Sequence, residues 1–589
     1  MSMNKNIYSI IFCAGLFMLV SCSQISLDGD FLGDRPESSG ADITQMFSSA
    51  TEADKVLNEA YRNLPYGLPT SLNNKLGSNI LEALTDLCQS FRDNISDGPM
   101  KLYYNGSLSS TTINGNAAYN YAGETDWTAI RYAWLFIENV SDVPDYSEEL
   151  RNRRIAEAKM IIALSYFEMM RYVGGVTWLD HAVDVNEPMN FTRLTFSATI
   201  ENIVKLLDEA ASALKWKEDD INDGRMTKAG ALALKFKVLQ WAASPAFNSD
   251  VLWHPSADEY TCYGNYDASR WTRALEAGKA FFDAVRANGE YALIQAESAD
   301  HQSYRLAYRR AYYDRGGSET VISTRHGYGP ETHNAFINQR AYTGPTLNYV
   351  NMFPWSDGTD FPEEFDWSSP SRQPFFEYVS GKMTPTRDPR LYETIACPGE
   401  TYCDGTTAPV YMNHSGYKDG SGFLIMKYVL QETSDRAGRP VHWAYLRLSE
   451  IMLDYAEVIN EAGNGPDATA FRMINDVRAR VGLKGLVSTG MSKEGFREAV
   501  LREKALELGF EEVRWFDLVR HNRQEDFSKT LYGLRSKGND LNNPTAFTFE
   551  RFTLQDRFWK THWDTKWYMA PISQDEINKK YGMTQNPGW

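Results

Sequence analysis

Cysteine is scarce: there are six in a chain of 589 residues. Cys13 and Cys22 fall in the N-terminal segment, which leaves Cys88, Cys262, Cys397 and Cys403 for the body. No Cys-x2-Cys pair occurs and no close His pair shares a helix face, so the usual structural zinc patterns are missing. Cys397 and Cys403 share one Pro/Gly-rich loop. They either pair in an oxidising compartment or stay as two loop thiols. Basic runs are absent as well. With no stretch of five Lys/Arg and a net charge of -17, the surface repels phosphate backbones, and nucleic acid is not an expected partner. No apolar run reaches the roughly 20 residues that a membrane-spanning helix needs. The nine histidines are scattered and lack a convincing Ser or Cys partner motif. What the chain has in quantity is aromatic residues, 13% of the total, with 33 Tyr and 15 Trp.

The N-terminus reads as an address. Lys5 precedes an apolar run from Ile7 to Val20, too short to span a bilayer and of the length of a secretory signal. It ends in Leu19-Val20-Ser21-Cys22, which matches a bacterial lipobox and makes Cys22 the expected acylation site. Each buried methylene of an acyl chain contributes about 0.8 kcal/mol, so several chains on Cys22 hold a soluble body on a membrane. Residues 22–49 would then be a tether, rich in Gly, Pro and Ser and poor in periodic hydrophobicity.

The body, residues 50–589, reads as all-α stacked helical hairpins. Helices are expected at Thr51–Leu64 (capped by Thr51), Lys75–Cys88, Trp127–Val140, Leu150–Tyr172, Thr199–Trp216, Thr227–Ala243 and Ala268–Asn288. The stretch Trp443–Arg520 organises the rest. It opens with a stripe of Leu446, Leu448, Ile451, Met452, Tyr455, Ala456 and Ile459, and two more amphipathic helices follow, separated by glycine-bearing turns. Helices with one sticky stripe must bury it on each other, and units of about 34 residues with this habit are similar to tetratricopeptide repeats. The helical blocks cover about 50–290 and 443–520. Between them, 297–440 is rich in Gly, Pro, Tyr and Asn and shows no long helical pattern.

Two irregular regions combine exposed-type aromatics with amide and charged partners, as sugar recognition requires. They are Phe91–Tyr121 and Tyr328–Trp367. The stacking candidates are Tyr103, Tyr104, Tyr328, Tyr342 and Trp355, and the polar candidates are Arg92, Asp93, Asn94, Asn105 and Asn334. The acidic loop Asp357–Asp360 is a candidate Ca2+ site; no other cofactor is expected. By contrast, Trp127, Trp443, Tyr445, Trp515 and Phe516 sit in helical patterns and read as core. Arg447, Glu450, Arg502, Glu503 and Glu507 repeat at helical spacing, as inter-helix ion pairs or a solvated face do.

Several motifs together resemble the SusD/RagB family of Bacteroidetes outer-membrane nutrient-uptake lipoproteins. They are YLRLSEIMLDYAEVINEAG, NDVRARVGL, LREKALELGFEEVRWFDLVR, RDPRL at Arg387–Leu391, AEAKMIIALSYFEMMRYVGGV and the terminal API…TQNPGW. Three positions depart from the family pattern: Glu512 stands for the usual Gly, Ser573 for the second Pro and Lys580 for a frequent Asn. The resemblance implies a single helical-repeat domain with a loop-rich glycan-binding side, surface-exposed at the outer membrane. It further implies delivery of oligosaccharides to a SusC-like TonB-dependent transporter, and no catalysis. Two other readings stay open on the residues alone. One is a glycoside hydrolase, which needs two carboxylates at a set separation. The other is a peptide-binding repeat scaffold.

Overall fold

The computed structural model describes residues 43–68, 80–91, 102–113, 118–184, 186–188, 192–325, 343–429 and 442–589. It is mostly helical. The principal helices are α1 (Ala50–Arg62), α2 (Asp126–Asn139), α3 (Glu148–Val173), α4 (Phe196–Ala213), α5 (Lys228–Ala243) and α6 (Ala268–Asn288) in the first half. The second half adds α7 (His301–Tyr313), α8 (Leu347–Met352), α9 (Pro389–Thr394), α10 (Leu448–Ala462), α11 (Ala468–Arg480), α12 (Lys493–Leu508) and α13 (Arg514–Arg520). Each of α1 to α6 packs on its neighbour in sequence, and α6 packs on α10, so the C-terminal block continues the stack that the N-terminal block began. Gly278 of α6 makes that join close, because a Cβ there would run into the Tyr455 ring of α10.

Helix starts follow local chemistry. Ser147, Thr195, Thr227, Asp267 and Asp467 each accept a backbone N–H of the first turn, which satisfies donors that a helix start leaves free. For α1 the cap is Ser49 rather than Thr51. Three other expectations change. Lys75–Cys88 is not a helix in its described part: Leu81–Leu84 is a single 3-10 turn, followed by an extended stretch. Trp443–Arg447 is a strand, and helix α10 begins only at Leu448. The segment 297–440 contains α7, thirteen residues long, which its Tyr- and Arg-rich sequence hides.

Among the described residues, ten short strands pair into five antiparallel two-stranded ladders. They are β1 (Cys88–Ser90) with β3 (Thr343–Pro345), β2 (Thr320–Thr324) with β8 (Trp443–Arg447), β4 (Phe376–Val379) with β5 (Lys382–Pro385), β6 (Ile395–Ala396) with β7 (Leu424–Ile425), and β9 (Tyr532–Gly538) with β10 (Phe547–Thr553). Two hydrophobic clusters result. The larger lies within the helical stack, and a second gathers under the ladders, around Tyr66, Cys88, Tyr349, Trp355, Tyr428 and Trp443.

Between them lies a buried ion network built from the motif residues. Glu507 of α12 is fully buried and receives Arg447 Nη1 at 2.6 Å, Arg480 Nη2 at 2.5 Å and Arg390 Nη1 at 3.2 Å. Arg390 also reaches Asp388 at 2.8 Å and Glu503 at 2.7 Å, and Glu319 receives Arg480 at 2.9 Å. The guanidinium groups hold Glu507 well below the usual carboxylate range. These charges tie α9, α11, α12 and β8 together; of the two readings that the spacing of Arg447, Glu503 and Glu507 allows, the structure shows buried ion pairs and not a solvated face. Arg387 of the RDPRL motif is different: it is fully buried and donates to the backbone oxygens of Val350, Phe353 and Pro374.

The departures from the family pattern have a backbone meaning. Glu512 and Lys580 both take φ of +59°, the left-handed region that glycine and asparagine enter with least cost. These are the two positions where the family pattern carries Gly and Asn. Ser573 instead caps the short C-terminal helix by accepting the N–H of Glu576.

Candidate functional site

The two ladders beside the second core cluster decide where the irregular segments attach. Ser90 of β1 is paired with Thr343 of β3. Segment 92–101 follows β1 and segment 326–342 precedes β3, so the two regions singled out for sugar recognition are rooted opposite each other. In the neighbouring ladder Thr324 pairs with Trp443, and the Thr324 hydroxyl donates to Pro65 O at 2.6 Å. Gly67 lies so close to the Trp443 indole that a Cβ would overlap it. Segments 69–79 and 430–441 are therefore rooted at the same place. Tyr66, Leu68, Ile80, Cys88, Tyr428, Val429 and Trp443, which flank these four segments, all belong to one buried cluster. The described residues at the ends of these segments thus converge on one rigid patch, and binding residues are commonly positioned by such a scaffold.

Six of the expected site residues, Arg92, Asp93, Asn94, Tyr328, Asn334 and Tyr342, fall in these segments and lie outside the described residues, as does Cys22. The others lie elsewhere. Tyr103 is 6% exposed and packs edge-on against Trp559 at 6.1 Å. Tyr104 is 7% exposed; its hydroxyl donates to Ala83 O and accepts the Ser90 N–H at 3.1 Å. Its ring lies under the Arg557 guanidinium at 4.6 Å, and Arg557 in turn donates to Gln89 Oε1, Thr85 O and Cys88 O. These side chains brace β1 from behind instead of offering a face to a ligand. Trp355 is also covered, with Arg372 at 4.1 Å over its ring and Phe361 at 5.1 Å. Aromatic rings in Gly- and Asn-rich sequence are buried here because burial removes a large apolar area from water. Asn105 is exposed, and its side chain accepts the N–H of Ser107 at 3.0 Å in a local turn.

The candidate metal loop is already engaged. Asp357 accepts the N–H of Thr359 at 2.9 Å and its hydroxyl at 2.6 Å, and Asp360 pairs with Arg502 at 2.6 Å. Among the described residues no group of three or more His, Cys, Asp or Glu is placed to hold a metal ion. Cys397 is a free thiol, fully buried beside Ile395 O.

A cleft of about 610 Å3 borders β2, the strand that leads toward 326–342. Trp216 and Tyr291 meet there at right angles, 5.6 Å apart, and the indole N–H of Trp216 donates to Gly289 O at 3.0 Å. The Glu218 carboxylate is nearly closed from solvent and has Lys215 Nζ at 3.7 Å as its ion-pair partner. Asp223 pairs with Arg325, the residue just before 326–342. Sequence reasoning missed this cleft because Trp216 closes a regular helical pattern and Tyr291 follows another, which gives neither a loop signature. The buried carboxylates that burial raises, Glu82, Glu319, Glu400 and Glu450, line neither this cleft nor the smaller one of about 310 Å3 near the C-terminus.

Residues 305–589 match the family model described as the SusD family. A SusD-like protein of Formosa agariphila, P38, is 22% identical over 430 residues, covering 69% of this chain and 73% of that protein. A SusD-like protein from Bacteroides fragilis has the same fold, with a TM-score of 0.71 and 21% identity over 93% of this chain and 99% of that one. A second B. fragilis structure, described as a SusD-like carbohydrate binding protein, gives a TM-score of 0.66 and 19% identity over 90% and 98% of the two chains. Residues 305–589 thus carry the SusD family pattern, and the likeness to SusD-like structures extends the same fold through the N-terminal helical stack.

Proposed function

We propose that the chain is a glycan-binding lipoprotein of the outer-membrane surface that captures oligosaccharides on its loop-bearing patch and passes them to a SusC-like TonB-dependent transporter. The observation that carries this reading is the Ser90–Thr343 pairing, which roots the two aromatic and amide-rich segments of the sequence at one place. The SusD family pattern of residues 305–589 supports it, as does the carbohydrate-binding description of one structural neighbour. Arg92, Asp93, Asn94, Tyr328, Asn334 and Tyr342 are the proposed contacts, with rings taking sugar C–H faces and amides and charges taking hydroxyls. Acylation of Cys22 would hold the body at the membrane. No helix among the described residues is long and apolar enough to cross one.

The reading is binding without cleavage. Titration calorimetry of the full chain against a polysaccharide panel tests the proposal. Binding of about −4 to −8 kcal/mol, millimolar to micromolar, is expected for a shallow site. Release of reducing sugar would move the assignment to a glycoside hydrolase. Co-isolation of a large β-barrel protein from solubilised membranes supports the transporter partner.

A further inference from the structure

The cleft of about 310 Å3 shares no lining residue with the buried cluster beneath the loop-bearing patch. It opens between α2, the 177–183 segment and the C-terminal tail, and its lining includes Trp127, Leu179, Val183 and Tyr581. Trp127 and Tyr581 are half-buried, so each keeps some ring surface open. Both rings are fixed. The Trp127 indole N–H donates to Tyr121 O at 2.8 Å, and Tyr121 packs edge-on against it at 5.3 Å. The Tyr581 hydroxyl donates to Glu576 Oε2 at 2.6 Å.

The charges around the cleft are mostly spent on each other. Glu576 uses its second oxygen on Lys579 at 2.5 Å. His181 stands between Asp180 at 2.8 Å and Glu187 at 2.9 Å, which hold its pKa up to about 9. Arg131 is the exception. It is exposed, lines the cleft four residues after Trp127 on the same helix face, and makes no hydrogen bond or ion pair among the described residues. A guanidinium takes a carboxylate through two parallel N–H donors, and flat rings take the C–H face of a pyranose. The volume is at the small end of ligand pockets, about 300–1,000 Å3, enough for one or two sugar rings.

We propose that this cleft is a second saccharide site, selective for a hexuronate residue, with the sugar ring against Trp127 and Tyr581 and its carboxylate on Arg131. A neutral sugar would find the rings but leave the guanidinium in water. The site does not depend on the loop-bearing patch and gives the protein two places to hold one acidic chain. The test is calorimetric titration of the full chain with trigalacturonate and with neutral galactotriose, followed through tryptophan fluorescence. Trigalacturonate should bind at least tenfold tighter than galactotriose. Arg131→Ala should abolish that preference and Tyr581→Ala should weaken both ligands. Tyr581→Phe, which keeps the ring, should retain binding. Arg131 is exposed and makes no hydrogen bond or ion pair among the described residues, so its variant should melt with the wild type. The proposal is overturned if trigalacturonate fails to bind, if galactotriose binds equally, or if Arg131→Ala binds like the wild type. Loss of trigalacturonate binding in Arg92→Ala but not in Arg131→Ala would place the acidic sugar on the loop patch, ending this proposal while leaving the proposed function standing.

Discussion

Replacing Glu82 by glutamine should change how stability depends on pH, and the structure sets the size. Glu82 lies on the 3-10 turn before β1, 1% exposed, with Oε1 accepting the Glu512 N–H at 2.7 Å. Burial first and the Glu512 charge second push its pKa from 4.5 to about 8; hydrogen bonds from the backbone of Glu82 and Glu512, and then the Lys427 charge, pull it only partly back. The folded state therefore binds a proton that the unfolded state has released between pH 4.5 and 8. Its contribution is favourable below pH 4.5 and is lost as pH rises through 8, opposite in sign to an ordinary paired carboxylate. At about 1.36 kcal/mol per pH unit, the loss between pH 4.5 and 7 is about 3 kcal/mol. The amide oxygen of the Glu82→Gln variant keeps the acceptor for Glu512 N–H, and the amide cannot ionise. Urea unfolding of both proteins at pH 4.5, 5.5 and 7 should show the variant gaining about 3 kcal/mol on the wild type across the range. Depressed carboxylates such as Glu457 and Glu507 titrate in both proteins and cancel in the difference. Parallel stability curves would refute the argument.

Three other predictions concern the frame. Glu507→Gln leaves Arg447, Arg480 and Arg390 short of one buried carboxylate and should cost about 3–5 kcal/mol in urea unfolding; a loss under about 1 kcal/mol would show that the network is not shared as described. Trp355→Ala should lower stability by about 3–5 kcal/mol, since a buried ring is removed from the second core; an unchanged melting temperature would mean the ring is free. Lys580→Gly should raise stability by about 0.5–1 kcal/mol by relieving a left-handed backbone at an exposed position, and a drop in melting temperature would contradict that reading.

The helical frame was legible because its stripes repeat at 3.6 residues and its starts carry Ser, Thr or Asp. Ala268–Asn288 was readable to the residue, and α3, α5 and α11 nearly so. The ion network was legible only as one of two readings, since the spacing of Arg447, Glu503 and Glu507 allows inter-helix pairs or a solvated face, and their distant partners decide. Strand β8 was not, because Trp443, Tyr445 and Leu446 fit a helical stripe as well as an alternating one; the choice was made by pairing with β2, a contact from far along the chain. The direction of single aromatics was also hidden. Tyr103, Tyr104 and Trp355 stand in loop-like sequence, and only the distant partners Trp559, Arg557 and Arg372 show that they point inward. Of the regions Phe91–Tyr121 and Tyr328–Trp367 that the sequence singles out, the β1–β3 ladder pairs Ser90, just before the first, with Thr343, inside the second.

The central claim is that the patch above that ladder holds the glycan. Calorimetric titration of the best polysaccharide from the panel into the wild type and the double variant Arg92→Ala/Tyr342→Ala tests it most directly. Loss of affinity by at least tenfold, about 1.4 kcal/mol, with the melting temperature unchanged, is the predicted result. Equal affinity in the two proteins would place the glycan elsewhere on the molecule.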